Sequence, residues 1–460
     1  MSTALYWFRR ALRLDDNAGL TEALKRFERV ACVFILDPAI LSRPDTGKAR
    51  VRFLFEGLAS LEADLRARGG RLIVRHGDPV EVLPRLAAEC AASVVFHARE
   101  HEPHGKERDA RVSRVIETVV HEDHLLVSPD RVFTQAGAPY TVFSPYKRRW
   151  LEETIPAPLP APERVPAPEG LFSEPLPTPD PSWPEATVSG GEGEARTLLN
   201  RFLSEAASVY DTGREAPATD GTSRLSAHLR FGMLSARRFY HKLQTVRAAL
   251  PVTGRRGIDT VISELVWRDF YAQVLFHFPH AASGSFQREL DTIAWHNDER
   301  LFDAWKDGRT GYPIVDAAMR QLASESWMHN RARMIVASFL TKDLLIDWRW
   351  GESYFMQMLV DGDMAANNGG WQWAASTGTD AQPYFRIFNP TSQGEKFDPD
   401  GAYVKRWVPE LARVPAKAIH APWALATAER AYLCPEYPTP IVDHALQREK
   451  ALALYREARS

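Results

Sequence analysis

ALYWF at residues 4–8 and the turn RRALRLDDN at 9–17 decide how the N-terminal part of this chain reads. The five apolar residues have the length and makeup of a buried strand. Further short apolar runs at Val30–Leu36, Arg71–Arg75, Ser93–His97 and Leu125–Ser128 alternate with amphipathic stretches at Val51–Arg68, Pro79–Cys90 and Lys106–Val119. That alternation is the βαβ rhythm of a five-stranded, Rossmann-like parallel sheet, expected over residues 1–130. The turn RRALRLDDN contains no glycine, so the G-x-G-x-x-G element that would hold a dinucleotide pyrophosphate is missing.

From Leu151 to Glu185 eleven of the 32 prolines fall in one segment, and SGGEG follows at 189–193. Proline lacks the N–H that helices and sheets need, so this span reads as an interdomain linker, taken as 131–193. Beyond it Glu194–Tyr210, Ala236–Leu250, Gly257–Phe278, Pro313–Ala323 and Trp327–Leu340 carry helical periodicity with no strand pattern between them. An all-helical domain over 194–460 is expected, and ten of the 13 tryptophans lie after residue 260.

A chain of 460 residues suits two domains. Its formal net charge of -2 argues against a surface that grips polyanions everywhere, so any nucleic-acid site must be a local patch. Cys32, Cys90 and Cys434 lie far apart, without metal-ligand spacing, so no metal site is expected and a reducing compartment fits. The N-terminal apolar run is too short for a signal peptide, and no stretch approaches the roughly 20 apolar residues of a membrane span. A cytoplasmic protein is expected.

Four segments carry chemistry. In DGDMAANNGGWQW at 361–373, acids, carboxamides and two glycines crowd together, a composition suited to a flat, polar-edged cofactor; the plain alternative is a turn before Gly369 and Gly370. DGTSRLSAHLRFG at 220–232 offers the hydroxyls of Thr222, Ser223 and Ser226 where a helix could begin, which suits either a capped helix or a phosphate. In SELVWRDFY at 263–271, Glu264, Trp267 and Tyr271 share one helical face, as a base-recognising acid and stacking surface or as an amphipathic helix with an exposed acid. In WMHNRARM at 327–334, Asn330 and Met334 lie one turn apart with Arg331 and Arg333 between them, serving phosphate and an internal pair or simply solvated.

SRLS at 223–226, SELVWRDFY, WMHNRARM and DGDMAANNGGWQW together strongly resemble the photolyase/cryptochrome family of flavoproteins, and the likeness runs from WFRRALRLDDN at 7–17 to FNPTSQGEKFD at 388–398. It is strongest toward bacterial class I cyclobutane pyrimidine dimer photolyases. The resemblance implies FAD held by Tyr210, Thr222, Ser223, Arg224, Leu225, Ser226, Asn330, Arg333, Asp361, Asp363 and Asn367, with Arg333 and Asp361 paired beside the ring and Asn367 opposite N5. It sets Glu264, Trp267, Asn330, Met334 and Trp373 against the lesion, and Arg214, Arg268, Arg331, Arg386 and Lys396 around the pocket mouth as phosphate contacts. Trp371, Trp348 and Trp295 match the family's tryptophan chain from flavin to surface. Two departures stand out. Val261 occupies a position where some members have a flavin-contacting tryptophan, and HEPHGKERD at 101–109 lacks the Asn-Glu pair of folate-binding members, which favours a deazaflavin or FMN as a second, antenna chromophore.

The resemblance implies a light-driven DNA repair enzyme, a carbon-carbon lyase acting on UV-damaged DNA, and a monomer is taken as the default. Asn367 favours repair, because plant cryptochromes typically have aspartate there and animal cryptochromes cysteine. A cryptochrome-like blue-light photoreceptor is the first alternative, and a light-independent electron-transfer flavoprotein the second.

Overall fold

The computed structural model describes residues 2–459. The strands β1 (Thr3–Phe8), β2 (Arg29–Leu36), β3 (Leu72–His76), β4 (Ala92–Ala98) and β5 (Glu117–His121) form one parallel sheet in the order β3-β2-β1-β4-β5. β1 is buried along its whole length, which is why it reads as a continuous apolar run and not as an alternating one. Leu5, Trp7, Ala31, Val33, Ile35 and Val95 on the strands pack with Leu83 and Leu86 of the helix Pro79–Glu89 in a core on one face of the sheet.

The fifth strand differs from expectation. Leu125–Ser128 is not a strand, and the expected helix over Lys106–Val119 ends early: the helix is Pro103–Val112, and β5 follows it at Glu117–His121. β5 is one of the two edge strands; unlike β3 at the other edge, its residues are mostly half-exposed and Val120 is exposed, so ETVVH lacks the buried run that marks the other four. Leu125, Leu126 and Val127 are buried for another reason. The Leu126 and Val127 amides donate to the Asp269 carboxylate at 3.2 and 3.0 Å, which satisfies the backbone of an apolar segment without sheet pairing.

The chain divides into two compact units that do not follow chain order. The first comprises 1–209, 223–279 and 360–365, and the second 210–222, 280–359 and 366–460. Between the helices Phe143–Trp150 and Glu192–Glu205 lies no regular element, yet the proline-rich chain is anchored: Val30 N donates to Pro166 O at 2.8 Å, Val165 N to Arg68 O at 2.9 Å and Glu174 N to Val74 O at 3.0 Å. The first unit also holds the long helix Arg256–His277. The second unit is helical, with a core built from Trp305, Met319, Leu322, Val336, Leu340, Trp348, Phe355 and Trp371 among others.

Candidate functional site

Within the first unit, the hydroxyl-rich loop and the acidic segment meet although they are far apart in sequence. Ser226 Oγ donates to Asp361 Oδ2 at 2.6 Å, and Arg230 Nε donates to the Gly362 carbonyl at 2.6 Å. Asp363 is paired with Arg10 of the first βα turn, whose guanidinium also donates to Glu102 at 2.6 Å. The glycine-free turn therefore has a use: it supplies a cation to the loop at 360–365. Ser223 Oγ accepts from the Leu225 amide at 3.3 Å, Leu225 is buried, and Arg224 takes a left-handed backbone with φ 52°, so the loop turns sharply before the short helix Ser226–Phe231.

Glu264, Trp267, Arg268 and Tyr271 lie on the half-buried face of the helix Arg256–His277, whose other face is buried through Val261, Ile262, Leu265 and Val266. The Trp267 indole stacks on Phe143 with centroids 3.6 Å apart and planes 6° apart. Arg268, expected at phosphate, is turned inward. It donates to the carbonyls of His124 at 2.7 Å and Leu229 at 3.3 Å, and burial pulls its guanidinium below the ordinary value. The neighbouring Asp269 accepts from Trp150 Nε1 at 3.0 Å as well as from Leu126 and Val127, and burial pushes its carboxyl up to about 6.

In the second unit the helix Met364–Ala375 presents Asn367. Its Nδ2 donates to the Glu352 carbonyl at 3.0 Å, which fixes the orientation of the amide and leaves Oδ1 as an acceptor. Asn368 is absorbed by structure: Nδ2 donates to Glu352 Oε1 at 2.9 Å, and Oδ1 accepts from Gln372 at 3.0 Å. Gly370 follows Asn367 by three residues on the same face, and a Cβ added there would meet nothing within 4 Å. Trp371 and Trp348 are buried, and neither indole N–H has a partner among the described residues. Gly351, one turn after Trp348, makes room for Trp371, since a Cβ there would come within 2.1 Å of its ring. Trp295 is half-buried, edge-on to Tyr455 at 6.0 Å.

Three of the expected phosphate contacts converge. Arg331 Cζ lies 4.2 Å from the Phe397 ring centroid and Lys396 Nζ 5.1 Å from the same ring, while Glu215 bridges Arg331 and Arg214. Arg386 is exposed, Asn330 opens the helix Asn330–Ser338, Met334 and Trp373 are half-buried, and Arg333 Nε donates to the Met328 carbonyl at 2.8 Å. Tyr210 starts a single turn ending at Gly213, which Gly221 approaches so closely that a Cβ on Gly221 would lie 2.5 Å from the Gly213 carbonyl oxygen. That contact brings the Tyr210 turn against the segment leading to Thr222.

Comparison with known proteins now decides the family. Residues 4–166 match the family model described as DNA photolyase, and residues 261–457 match the FAD binding domain of DNA photolyase. A deoxyribodipyrimidine photo-lyase from Halobacterium salinarum is 43% identical, with 99% of each chain covered. The chain belongs to the DNA photolyase family. Among solved structures, this photolyase-family chain is similar to a bacterial class III photolyase from Agrobacterium tumefaciens, with TM-score 0.94, 38% identity and 100% and 98% of the two chains covered. It is also similar to an archaeal photolyase from Sulfolobus tokodaii described with two FAD molecules, with TM-score 0.85, 34% identity and 99% and 100% covered.

The residues present fit the FAD that the family's domain binds. In the first unit the Ser226 hydroxyl and Asp361 carboxylate are groups that suit a flavin's polar substituents; in the second, taken by itself, the oriented Asn367 carboxamide suits a flavin's polar edge, and the bare Gly370 side of its face leaves room for a ring. Three residues of this photolyase-family chain escaped sequence reasoning: Phe143 beneath Trp267, Arg10 against Asp363, and the fully buried Trp305, 6.1 Å from Trp371. None carried a local signal, since each matters through a partner at least 66 residues away in the chain. A cleft of about 410 Å³ in the first unit is lined by Asp37, Asp78, His104, Glu107, Arg108 and Arg111, drawing on the segment read as an antenna region.

Proposed function

We propose that this protein repairs UV-damaged DNA in light by splitting cyclobutane pyrimidine dimers. The observation that carries this reading is Trp267, an indole held flat against Phe143 and followed back by Glu264 one helical turn away. A rigid aromatic plane beside a carboxylate is the pairing that stacks a base and reads its edge. FAD bound there in its reduced form would supply light-driven one-electron chemistry for opening the dimer, with no net oxidation or reduction of the substrate.

Glu264 shares a hydrogen bond with the pyrimidine edge, Trp267, Trp373 and Met334 wall the lesion, and Asn330 offers its amide. Enzymes that act on bases within a duplex extrude them, photolyases included, and a lesion already poorly stacked costs less to extrude. Arg214, Arg331, Arg386 and Lys396 bind phosphate and carry no sequence code. Tyr210 and the segment from Thr222 to Ser226 hold the cofactor's diphosphate side, while Asp361, Asp363 and Arg333 fix its ring. Asn367 Oδ1 accepts from a protonated ring nitrogen, a role supported by the commitment of Nδ2 to Glu352. Trp371, Trp348 and Trp295 are the indoles that would supply electrons toward an oxidised cofactor. A second chromophore, deazaflavin or FMN, is assigned to the cleft lined by His104, Glu107 and Arg108.

The test is illumination of the reduced, flavin-loaded protein with a thymine-dimer oligonucleotide, following recovery of thymine absorbance against a dark control. Light-dependent recovery is expected. Its absence, with light-driven flavin chemistry intact, would favour the photoreceptor reading.

A further inference from the structure

Glu215 sits between two of the cations assigned above to phosphate. Its Oε2 is paired with Arg331 Nη2, and its Oε1 lies 3.7 Å from Arg214 Nε. Arg331 is otherwise held by apolar and sulfur neighbours, with Cζ 4.2 Å from the Phe397 ring centroid and Nη1 3.9 Å from Met334 Sδ, while its Nε is buried without a partner among the described residues. The Arg331 side chain is only 17% exposed and that of Glu215 is 36%, so this pair is less screened than an ordinary surface ion pair. With Lys396 over the same phenyl ring, the cluster brings three cations around the Glu215 carboxylate and the Phe397 ring.

We infer that Glu215 sets the release of repaired DNA, by lowering the affinity of this patch for undamaged duplex. The inference rests on the reading that Arg214 and Arg331 contact phosphate. The product of repair differs from the substrate only in lacking the lesion, so it is held by backbone charge without the pocket contacts. That term scales with the number of cations available to phosphate. A carboxylate placed on two of them weakens it, and substrate retains affinity through Glu264 and Trp267.

The experiment measures binding of an undamaged duplex to flavin-loaded protein across a salt series, together with inhibition of dimer repair by the same duplex as competitor. Glu215→Gln keeps the shape and removes the charge. It should bind undamaged duplex about two- to fivefold tighter, with a steeper salt dependence and stronger competitor inhibition. The double variant Glu215→Gln with Arg331→Ala should lose most of that gain, because the masked cation is gone. Arg331→Ala alone should bind more weakly with a shallower salt slope; an unchanged slope would remove Arg331 from the phosphate contacts and so defeat the underlying reading. If Arg331→Ala behaves as expected while Glu215→Gln leaves undamaged-duplex affinity unchanged or lowers it, Glu215 merely positions the arginines and the inference is overturned.

Discussion

Phe143 and Trp267 lie ring on ring, 3.6 Å between centroids and 6° from parallel, and so the linker-side helix Phe143–Trp150 sets the plane of an indole on the helix Arg256–His277. Such an aromatic pair contributes about 0.5–1.5 kcal/mol beyond its buried area. Phe143→Leu should free the indole and weaken dimer binding several-fold, while Phe143→Tyr should restore it. Photoreduction of the flavin should be alike in all three proteins. Equal dimer affinity in Phe143→Leu, by titration with damaged oligonucleotide, would count against a positioning role.

Ser226 donates to Asp361 across 135 residues of chain and holds the hydroxyl loop to the acidic segment. Ser226→Ala removes that donor, a loss of about 1–3 kcal/mol when the remaining group is shielded from water. The variant should fold yet retain less FAD after gel filtration, read as flavin absorbance per protein. Asp361→Asn should lose more, because it also removes the charge proposed to pair with Arg333. Full retention in both would exclude this loop from cofactor binding.

Trp371 is buried beside Phe355 and Trp305, and its N–H has no partner among the described residues. Trp371→Phe should slow photoreduction of oxidised flavin by an order of magnitude or more, on the order of the 1.4 kcal/mol per decade that barriers follow. Chemically prereduced protein should still repair. Parallel loss of both activities would contradict the division between electron supply and repair.

Burial pulls the His228 imidazole down to about 4, with its Nε2–H donating to the Ser189 carbonyl at 2.9 Å and its ring edge-on to Phe53. His97 is pulled down to about 3 by burial and by Arg9. The unfolded chain protonates such groups near 6.5, while the native chain resists. Their stabilising contribution is therefore complete above about pH 6.5 and is lost as pH falls toward 4, at about 1.4 kcal/mol per pH unit for each histidine. Asp343, pushed up to about 6 by burial, works in the opposite sense, because the native state takes its proton first. His228→Gln isolates one contribution: its thermal midpoint should fall less between pH 7 and pH 5 than that of the parent. An identical fall would place the acid sensitivity elsewhere.

What the sequence by itself determined are features written in local pattern. Buried parallel strands have near-continuous apolar runs, so β1 to β4 were legible, and proline spacing marked a span without helices or strands. Helical spacing placed Glu264 and Trp267 on one face, and family motifs picked out Ser226, Asp361 and Asn367. β5 was not legible, because its residues are half-exposed or exposed and leave no buried run to show. Only tertiary structure decided how each polar group is committed. Arg268 was indistinguishable from the other arginines in sequence, and its donors are engaged by the part-buried carbonyls of His124 and Leu229. Arg10, Phe143 and Glu215 gained their importance from partners distant in the chain, Asp363, Trp267 and Arg331. Periodicity reports which face of an element is buried; which charge meets which, and which ring lies on which, depends on long-range packing that no local pattern records.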